Sequence, residues 1–271
     1  MTLDLALITH RPEGMARIAA QRLPRVEGVR YVISWQAHAG APIPPEVADR
    51  QDIEVHRFDR SGQSLNRNNA IDHCRADIVL HADDDVSYTA EGLLAVIQAF
   101  EQRPQMDVAT FMVPKPGGPA YPPQECRLGI PMPKGYWVAT FEIAFRRSRV
   151  GSLRCHPEFG LGSPRLHGGE DELFLLEAIR RGLNCRFLPI EIGRHPHEST
   201  GTKAHLTAAN LRAQGCLITL TYPRTALLRI PLKAWRTARA GQHRLLPALC
   251  HLLQGMAYTP RILRGPREYL W

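Results

Sequence analysis

Six short apolar runs recur along the chain, and stretches of helical periodicity separate the early ones. No other feature constrains the fold as much. The runs are LDLALIT (3–9), VRYVIS (29–34), IEVHRF (53–58), DIVLHA (77–82), MDVATFMV (106–113) and CRFLPIEI (185–192). Between them, PEGMARIAAQRL starts with a proline at a helix entry, and SLNRNNAIDHCR (64–75) spaces Leu65, Ile71 and Cys74 on one helical face. TAEGLLAVIQAFEQRP opens on Thr89 as an N-cap and closes before Pro104. Strands that alternate with helices call for a mostly parallel sheet covered on both faces. The predicted class is α/β: a Rossmann-like, mostly parallel mixed sheet flanked by helices, with a helical C-terminal extension. In such sheets ligands lie outside the carboxyl ends of the strands.

Charge divides the chain of 271 residues unevenly. From Arg224 onward there are nine Lys or Arg against the single acid Glu268, so the net charge of +8 belongs to the tail and the remainder is balanced. Two domains are expected, 1–220 as the sheet-bearing unit and 221–271 as a basic amphipathic helical tail. A nucleic-acid footprint would need a basic stripe across the fold or a known module, and neither is visible. Basic residues interleaved with Leu, Trp and Ile, interrupted at Pro231 and Pro247, suit an anionic membrane surface. The alternative is a helical pair packed on the domain or on a second subunit, as in a homodimer. Six widely spaced cysteines without a CxxC pair read as free thiols in a reducing compartment. The N-terminal run has no basic flank and is too short for a signal peptide, and no window reaches the roughly 18 apolar residues of a membrane span. The expected location is cytoplasmic, peripheral on the inner membrane face.

Three features carry chemistry. DIVLHADDDVSYT sets Asp83, Asp84 and Asp85 at the end of an apparent buried strand, where like charges repel at a cost of several kcal/mol unless something positive sits among them. Residues 83 and 85 share a face of an extended segment. A hard cation, Mg²⁺ or Mn²⁺, between them would relieve the crowding and accept a diphosphate; a solvated acidic turn is the competing reading. GLGSPRLHGGEDELFLLEAIRRG (160–182) leads through two glycines into Glu170 and Asp171 at the start of an amphipathic helix, either as helix-dipole complements or close to a ligand. GRHPHESTG (193–201) places His195 and His197 in a polar loop, solvated or completing a metal site. The Pro- and Gly-rich stretch 114–135 reads as an irregular loop of the lid or binding kind, or as a surface excursion.

In this order and separation, ITHR (8–11), SGQSLNRNNAI (61–71), ADDDV (82–86), GGEDELF (168–174) and HPHESTG (195–201) resemble the GT-A glycosyltransferases of the bacterial family 2 type. The resemblance covers about 200 residues and implies a nucleotide-sugar donor across the carboxyl edge of the sheet. It implies that Thr9 and Arg11 line the nucleotide pocket, that Arg67 and Asn68 stand near the donor, and that the Asp83–Asp84 pair belongs to the donor site. Asp85, with Asp83, would ligate Mn²⁺ or Mg²⁺, and His195 or His197 would complete the coordination. Asp171 would be the catalytic base, Glu170 would orient the acceptor, and inversion would be the outcome. The acid that commonly reads the base in this family is missing from VISWQAHAG (32–40). Gln36 is the substitute, Trp35 stacks or packs, and Asp59 is within reach of the region; uridine is the first expectation. The acceptor would be a glycan or a lipid-linked molecule in polysaccharide or lipopolysaccharide assembly. The rival readings are a nucleotidyltransferase of related fold, for which THRPEG is a poor phosphate loop, and a non-catalytic nucleotide-sugar-binding scaffold.

Overall fold

A computed structural model describes residues 1–196, 206–266 and 269. The first half alternates as the sequence predicts: β1 (Leu3–His10), α1 (Arg11–Gln21), β2 (Val29–Gln36), a short α2 (Pro45–Ala48), β3 (Ile53–Phe58), α3 (Gln63–His73) and β4 (Ile78–Asp83). Then come β5 (Ser87–Tyr88), α4 (Ala90–Glu101), β6 (Val108–Met112), β7 (Cys126–Arg127), a 3₁₀ turn at Thr140–Glu142, β8 (Ile143–Arg146) and α5 (Arg147–Val150). The remainder is α6 (Glu170–Arg180), β9 (Cys185–Glu191), β10 (Gly193–Arg194), α7 (Ala208–Thr221), α8 (Ala226–Arg239) and α9 (Leu245–Ile262).

Eight strands form one mixed sheet in the order β3-β2-β1-β4-β8-β6-β9-β7. The pairs β1–β2, β1–β4, β2–β3 and β6–β9 are parallel, while β8 runs antiparallel between β4 and β6. This inverted strand has a consequence for the site. Because β8 starts where β4 and β6 end, the turn at Thr140–Glu142 lies at the same edge as Asp83. One face of the sheet packs on α1 and α4 through Met15, Ile18, Leu93, Val96 and Phe100; the other packs on α3 and α6 through Ala70, Ile71, Phe174, Leu175 and Ala178. Burying these side chains at about 25 cal/mol per Å² supplies the main drive to fold.

Two local expectations need correction. The helical pattern over 64–75 sets Leu65, Ile71 and Cys74 on one face; Ile71 and Cys74 are buried and Leu65 half-buried, yet α3 also encloses Asn66, Arg67 and Asn68. Burial of these polar groups is tolerable because each has partners: the Asn66 amide donates to the Thr9 carbonyl and accepts from Ser34, and Asn68 bridges the Cys155 backbone N–H and carbonyl. The tail helices are also not broken where the prolines fall. Pro231 lies inside α8, leaving unbonded only the carbonyl of Leu227, a residue open to water, and Pro247 sits in the first turn of α9, where its missing N–H costs nothing. The break comes instead at residues 240–244.

The tail does not stand apart from the domain. Cβ atoms added at Gly215 of α7 or Gly255 of α9 would lie 2.0 Å from the carbonyl oxygens of Leu252 and Arg212, so these helices cross with their backbones nearly in contact. The α7–α9 unit then docks on α6 through Leu173, Leu176, Ala213, Leu217 and Ile262.

Candidate active site

The crowding of the three aspartates is resolved by divergence. Asp83 accepts a 2.6 Å hydrogen bond from Arg67, a guanidinium with no exposed surface on the helix beneath. Asp84 turns the other way, toward α1, where Arg17 donates to both carboxylate oxygens at 2.9 and 3.1 Å and the Thr9 hydroxyl donates as well. Asp85 faces His195, with 3.3 Å between Oδ2 and Nε2. Arg67 and Arg17 thus each pair with one member of the trio, and the third stands beside His195.

The meeting of Asp85 and His195 is built by backbone. Ser87–Tyr88 pairs antiparallel with Gly193–Arg194, tying the residues after the acidic trio to those before the histidine. Only glycine fits at 193, because a Cβ there would come within 2.5 Å of the Ser87 carbonyl oxygen. The His195 N–H donates to the Pro114 carbonyl at 3.1 Å, and its ring stacks on Phe141 at 5.1 Å and 9°. Burial would raise the Asp85 carboxyl, but the hydrogen bond and charge of His195 outweigh it and hold the acid below the usual carboxylate range. Burial, opposed by Arg67, pushes Asp83 up.

Asp83, Asp85 and His195 open into a cleft of about 670 Å³ that is also lined by Glu170, Asp171 and Glu172 at the start of α6. Gly169 caps this helix in the left-handed conformation at φ 83°. The Asp171 carboxylate accepts from the N–H of Glu172 at 2.8 Å, and the Thr140 hydroxyl stands 3.5 Å away. Burial raises the Asp171 pKa, with the Glu172 amide and Arg67 opposing it. Burial, reinforced by Asp171, pushes Glu170 up to about 8. Glu170 is 5% exposed, and its Oε2 has no hydrogen-bond partner among the described residues.

Several residues predicted for the donor site are engaged elsewhere. The Gln36 amide donates to the Arg60 carbonyl, the Thr9 hydroxyl to Asp84, and the Asn68 amide to Cys155; with Asp84 itself, these groups hold the scaffold and do not line the cleft. Arg67 acts on the cleft through Asp83 without reaching it. Arg11 is exposed at the start of α1 and its carbonyl accepts from the fully buried Trp35 indole, so Trp35 packs. Asp59 is exposed and pairs with His38. His197 lies outside the described residues.

Some residues of the site gave no sequence signal that was read. Lys115 and Glu142 form a fully enclosed ion pair at 2.7 Å, and Tyr121 and the Ala139 N–H also donate to that carboxylate. The Lys115 ammonium lies 4.9 Å from the ring centres of both Trp137 and Phe141. The Pro-rich stretch is therefore an anchored wall of the cleft, to which Ile130 and Met132 contribute, and it includes the two-residue strand β7 paired with β9. Lys115, one of two lysines among its prolines, was the available clue. Asn210, Leu217 and Tyr222 of the α7 segment and Lys233 of α8 complete the cleft. The TxxN spacing at Thr207 and Asn210, which forms a capping box, marked the start of α7.

Among the described residues no three His, Cys, Asp or Glu side chains converge as a metal site. The donors present nevertheless suit a Mg²⁺- or Mn²⁺-type ion, which takes one or two protein carboxylates and fills its shell with water and substrate phosphate. Asp83 and Asp85 are the sheet-edge carboxylates of the cleft that would hold such an ion, with His195 beside Asp85.

Residues 43–161 match the family model described as Glycosyl transferase family 2. No curated protein matches the chain by sequence. Solved structures of S. aureus TarS share its fold at low identity. The TarS 1–349 complex with UDP has a TM-score of 0.59 at 13% identity, over 90% of this chain and 73% of that one. The complex with UDP-GlcNAc has 0.56 at 11% identity, over 87% and 71%. A longer TarS structure has 0.57 at 13% identity, over 87% of this chain and 42% of that one.

Proposed function

We propose that this chain, a glycosyltransferase of the GT-A family 2 type, moves a sugar from a uridine-diphosphate donor to an acceptor hydroxyl in one inverting displacement. The reading rests on a single cleft that holds Asp83, Asp85 and His195 on the sheet edge and Asp171 at the start of α6. The diphosphate lies toward Asp83 and Asp85, which would hold a Mn²⁺ or Mg²⁺ ion with His195 beside Asp85. That ion would supply charge stabilisation to the departing diphosphate. Asp171 takes the acceptor proton as the acceptor oxygen bonds to the anomeric carbon and the carbon–phosphate-oxygen bond breaks, its electron pair leaving with the nucleoside diphosphate. Arg67 opposes the burial that raises Asp83 and holds it in place. Glu170, raised to about 8, sits beside the base largely as a neutral acid, so the pair carries one charge near neutral pH. The uridine assignment is supported by the UDP and UDP-GlcNAc bound by TarS.

Ligand-induced stabilisation checks this donor reading. UDP with Mn²⁺ is expected to raise the melting temperature measurably, since saturation at a hundred times the dissociation constant is worth about 2.7 kcal/mol. GDP and CMP should do less, and the UDP shift should shrink when Asp85→Asn removes the charge opposite His195. A shift insensitive to both metal and Asp85 would refute the donor site.

The reading extends to peripheral docking on the cytoplasmic face of an anionic membrane, in polysaccharide or lipopolysaccharide assembly. No described helix is long and apolar enough to cross a bilayer. What supports docking is the outer surface of α8 and α9, where Leu227 is 70% exposed, Leu228 77%, Trp235 48% and Leu246 75%, among the exposed cations Arg224, Arg229, Arg236 and Arg239. Exposed apolar side chains rimmed by arginine complement an interface of lipid tails and anionic headgroups. The protein is expected to co-sediment with vesicles containing phosphatidylglycerol and not with pure phosphatidylcholine. Trp235→Glu combined with Leu228→Glu should abolish this; equal binding to both vesicle types, or none, removes the membrane from the reading.

A further inference from the structure

We propose that Lys233 on α8 binds an oxyanion of the phosphate class carried by the acceptor, so that the tail helix reads the acceptor from the wall of the catalytic cleft. This rests on the glycosyl-transfer reading and deepens it by naming the acceptor's chemistry.

The cleft has two chemically different parts. Asp83, Asp85, Asp171 and His195 make one, and the helices α6, α7 and α8 make the other, with Leu176, Leu217, Ile218 and Tyr222 as apolar wall and Lys233 as its cation. Lys233 is half-buried, and among the described residues no carboxylate comes within ion-pairing distance of 4.0 Å and no acceptor takes a hydrogen bond from it. Desolvation lowers its pKa and Arg236 adds to this, while Glu172 acts in the opposite sense. An ammonium held partly out of water without a partner is costly, and a ligand oxyanion would relieve that cost.

The surroundings favour an anion over a neutral sugar. Helical spacing places Arg229, Lys233 and Arg236 along one flank of α8, four and three residues apart. The Arg229 guanidinium lies 3.8 Å from the centre of the Tyr222 ring, and Tyr222 itself lines the cleft. Glu172, next to Asp171 in the first turn of α6, is the acid that acts on Lys233, and Arg236 is the cation. The outer crest of the same helix carries Leu228, Leu232 and Trp235, all exposed. A phosphate on the basic flank would leave an attached apolar chain free to run over that crest. A merely solvated lysine, or one serving only to balance Glu172, explains neither the apolar wall nor the basic flank of α8.

Calorimetric titration of the UDP-saturated protein tests this, with octyl phosphate, inorganic phosphate and 1-octanol as probes at fixed ionic strength. Octyl phosphate is expected to bind at least about tenfold more tightly than 1-octanol, and Lys233→Gln to weaken it about tenfold, the usual worth of a charge-assisted hydrogen bond. Lys233→Glu should weaken it further. Arg229→Gln, which leaves the half-buried position untouched, should weaken it by a smaller factor. Glu172→Gln should tighten it, because the competing anion is gone; loosening would show that Lys233 serves Glu172 and would overturn the proposal. Inorganic phosphate that binds as tightly as octyl phosphate identifies the free ion as the source, and weaker binding identifies a phosphate with an attached chain. Equal octyl phosphate affinity in wild type and both Lys233 variants overturns the inference while leaving the donor site standing. Absence of any UDP-induced stabilisation in the wild type overturns the glycosyl-transfer reading instead.

Discussion

Asp171→Asn is expected to lower sugar transfer by about 10²- to 10⁴-fold, the usual contribution of a positioned general base, and to leave UDP binding intact. The amide is nearly isosteric and can still accept from the Glu172 N–H that orients the side chain at 2.8 Å, so the first turn of α6 should keep its geometry. It cannot accept the proton of the acceptor hydroxyl. The substitution also removes the charge that helps to hold Glu170 at about 8, so the Glu170 pKa should fall in the variant. A pH profile separates this role from a structural one. Because burial raises the Asp171 pKa, wild-type kcat/KM should climb with pH through that raised value and level off once the base is ionised. The residual rate of the variant should lack that ascending limb. Normal transfer by Asp171→Asn, or an unchanged ascending limb, would remove Asp171 from the role of base.

What the sequence made legible was the placement of chemistry along the chain. Strand-length apolar runs ended at Thr9, Ser34 and Ala82, and parallel pairing put all three near one edge of the sheet. The helix starting at Glu170 and the loop holding His195 were equally readable, and the fold brings both to that edge. The directions of the side chains were not readable, because each depends on a partner far away in sequence. Asp84 is drawn toward α1 by Arg17, 67 residues earlier, whereas its neighbour Asp83 meets Arg67 beneath it. Nothing in DDD distinguishes these fates. Arg67 and Asn68 were expected near the donor, and their burial with Asn66 was not readable, since enclosing three consecutive polar residues becomes favourable only once Ser34, Thr9, Asp83 and Cys155 are in place. Lys115 and Glu142 were missed for the same reason: 27 residues of irregular chain separate two charges that are enclosed together. The contribution of Lys233 to the cleft depends on how the tail docks, which periodicity within the tail does not specify.

Arg67→Met should cost about 3–5 kcal/mol of stability at neutral pH, the range found when one partner of a buried ion pair is removed. Met has comparable length and no polar head, so packing is approximately kept while Asp83 loses its 2.6 Å partner. Glu170 and Asp83 both lose a charge that lowers their pKa values. The pH dependence follows from the direction of these shifts. Glu170 is raised in the folded protein from 4.5 to about 8, so its contribution is fully present below pH 4.5 and is lost as pH rises through 8. Asp83 is raised as well, and its contribution falls away in the same direction. Without Arg67 both values move further up, so charging these acids at high pH becomes more costly still. Urea midpoints at pH 5 and pH 8 should show the deficit of Arg67→Met largest at pH 8 and shrinking toward pH 5. Adding Asp83→Asn should recover a large part of it, because the unpaired carboxylate and not the missing guanidinium carries most of the penalty. A deficit equal at both pH values and untouched by the second substitution would mean that Arg67 stabilises the sheet edge by its volume alone, and the electrostatic account of how three adjacent aspartates coexist there would fail.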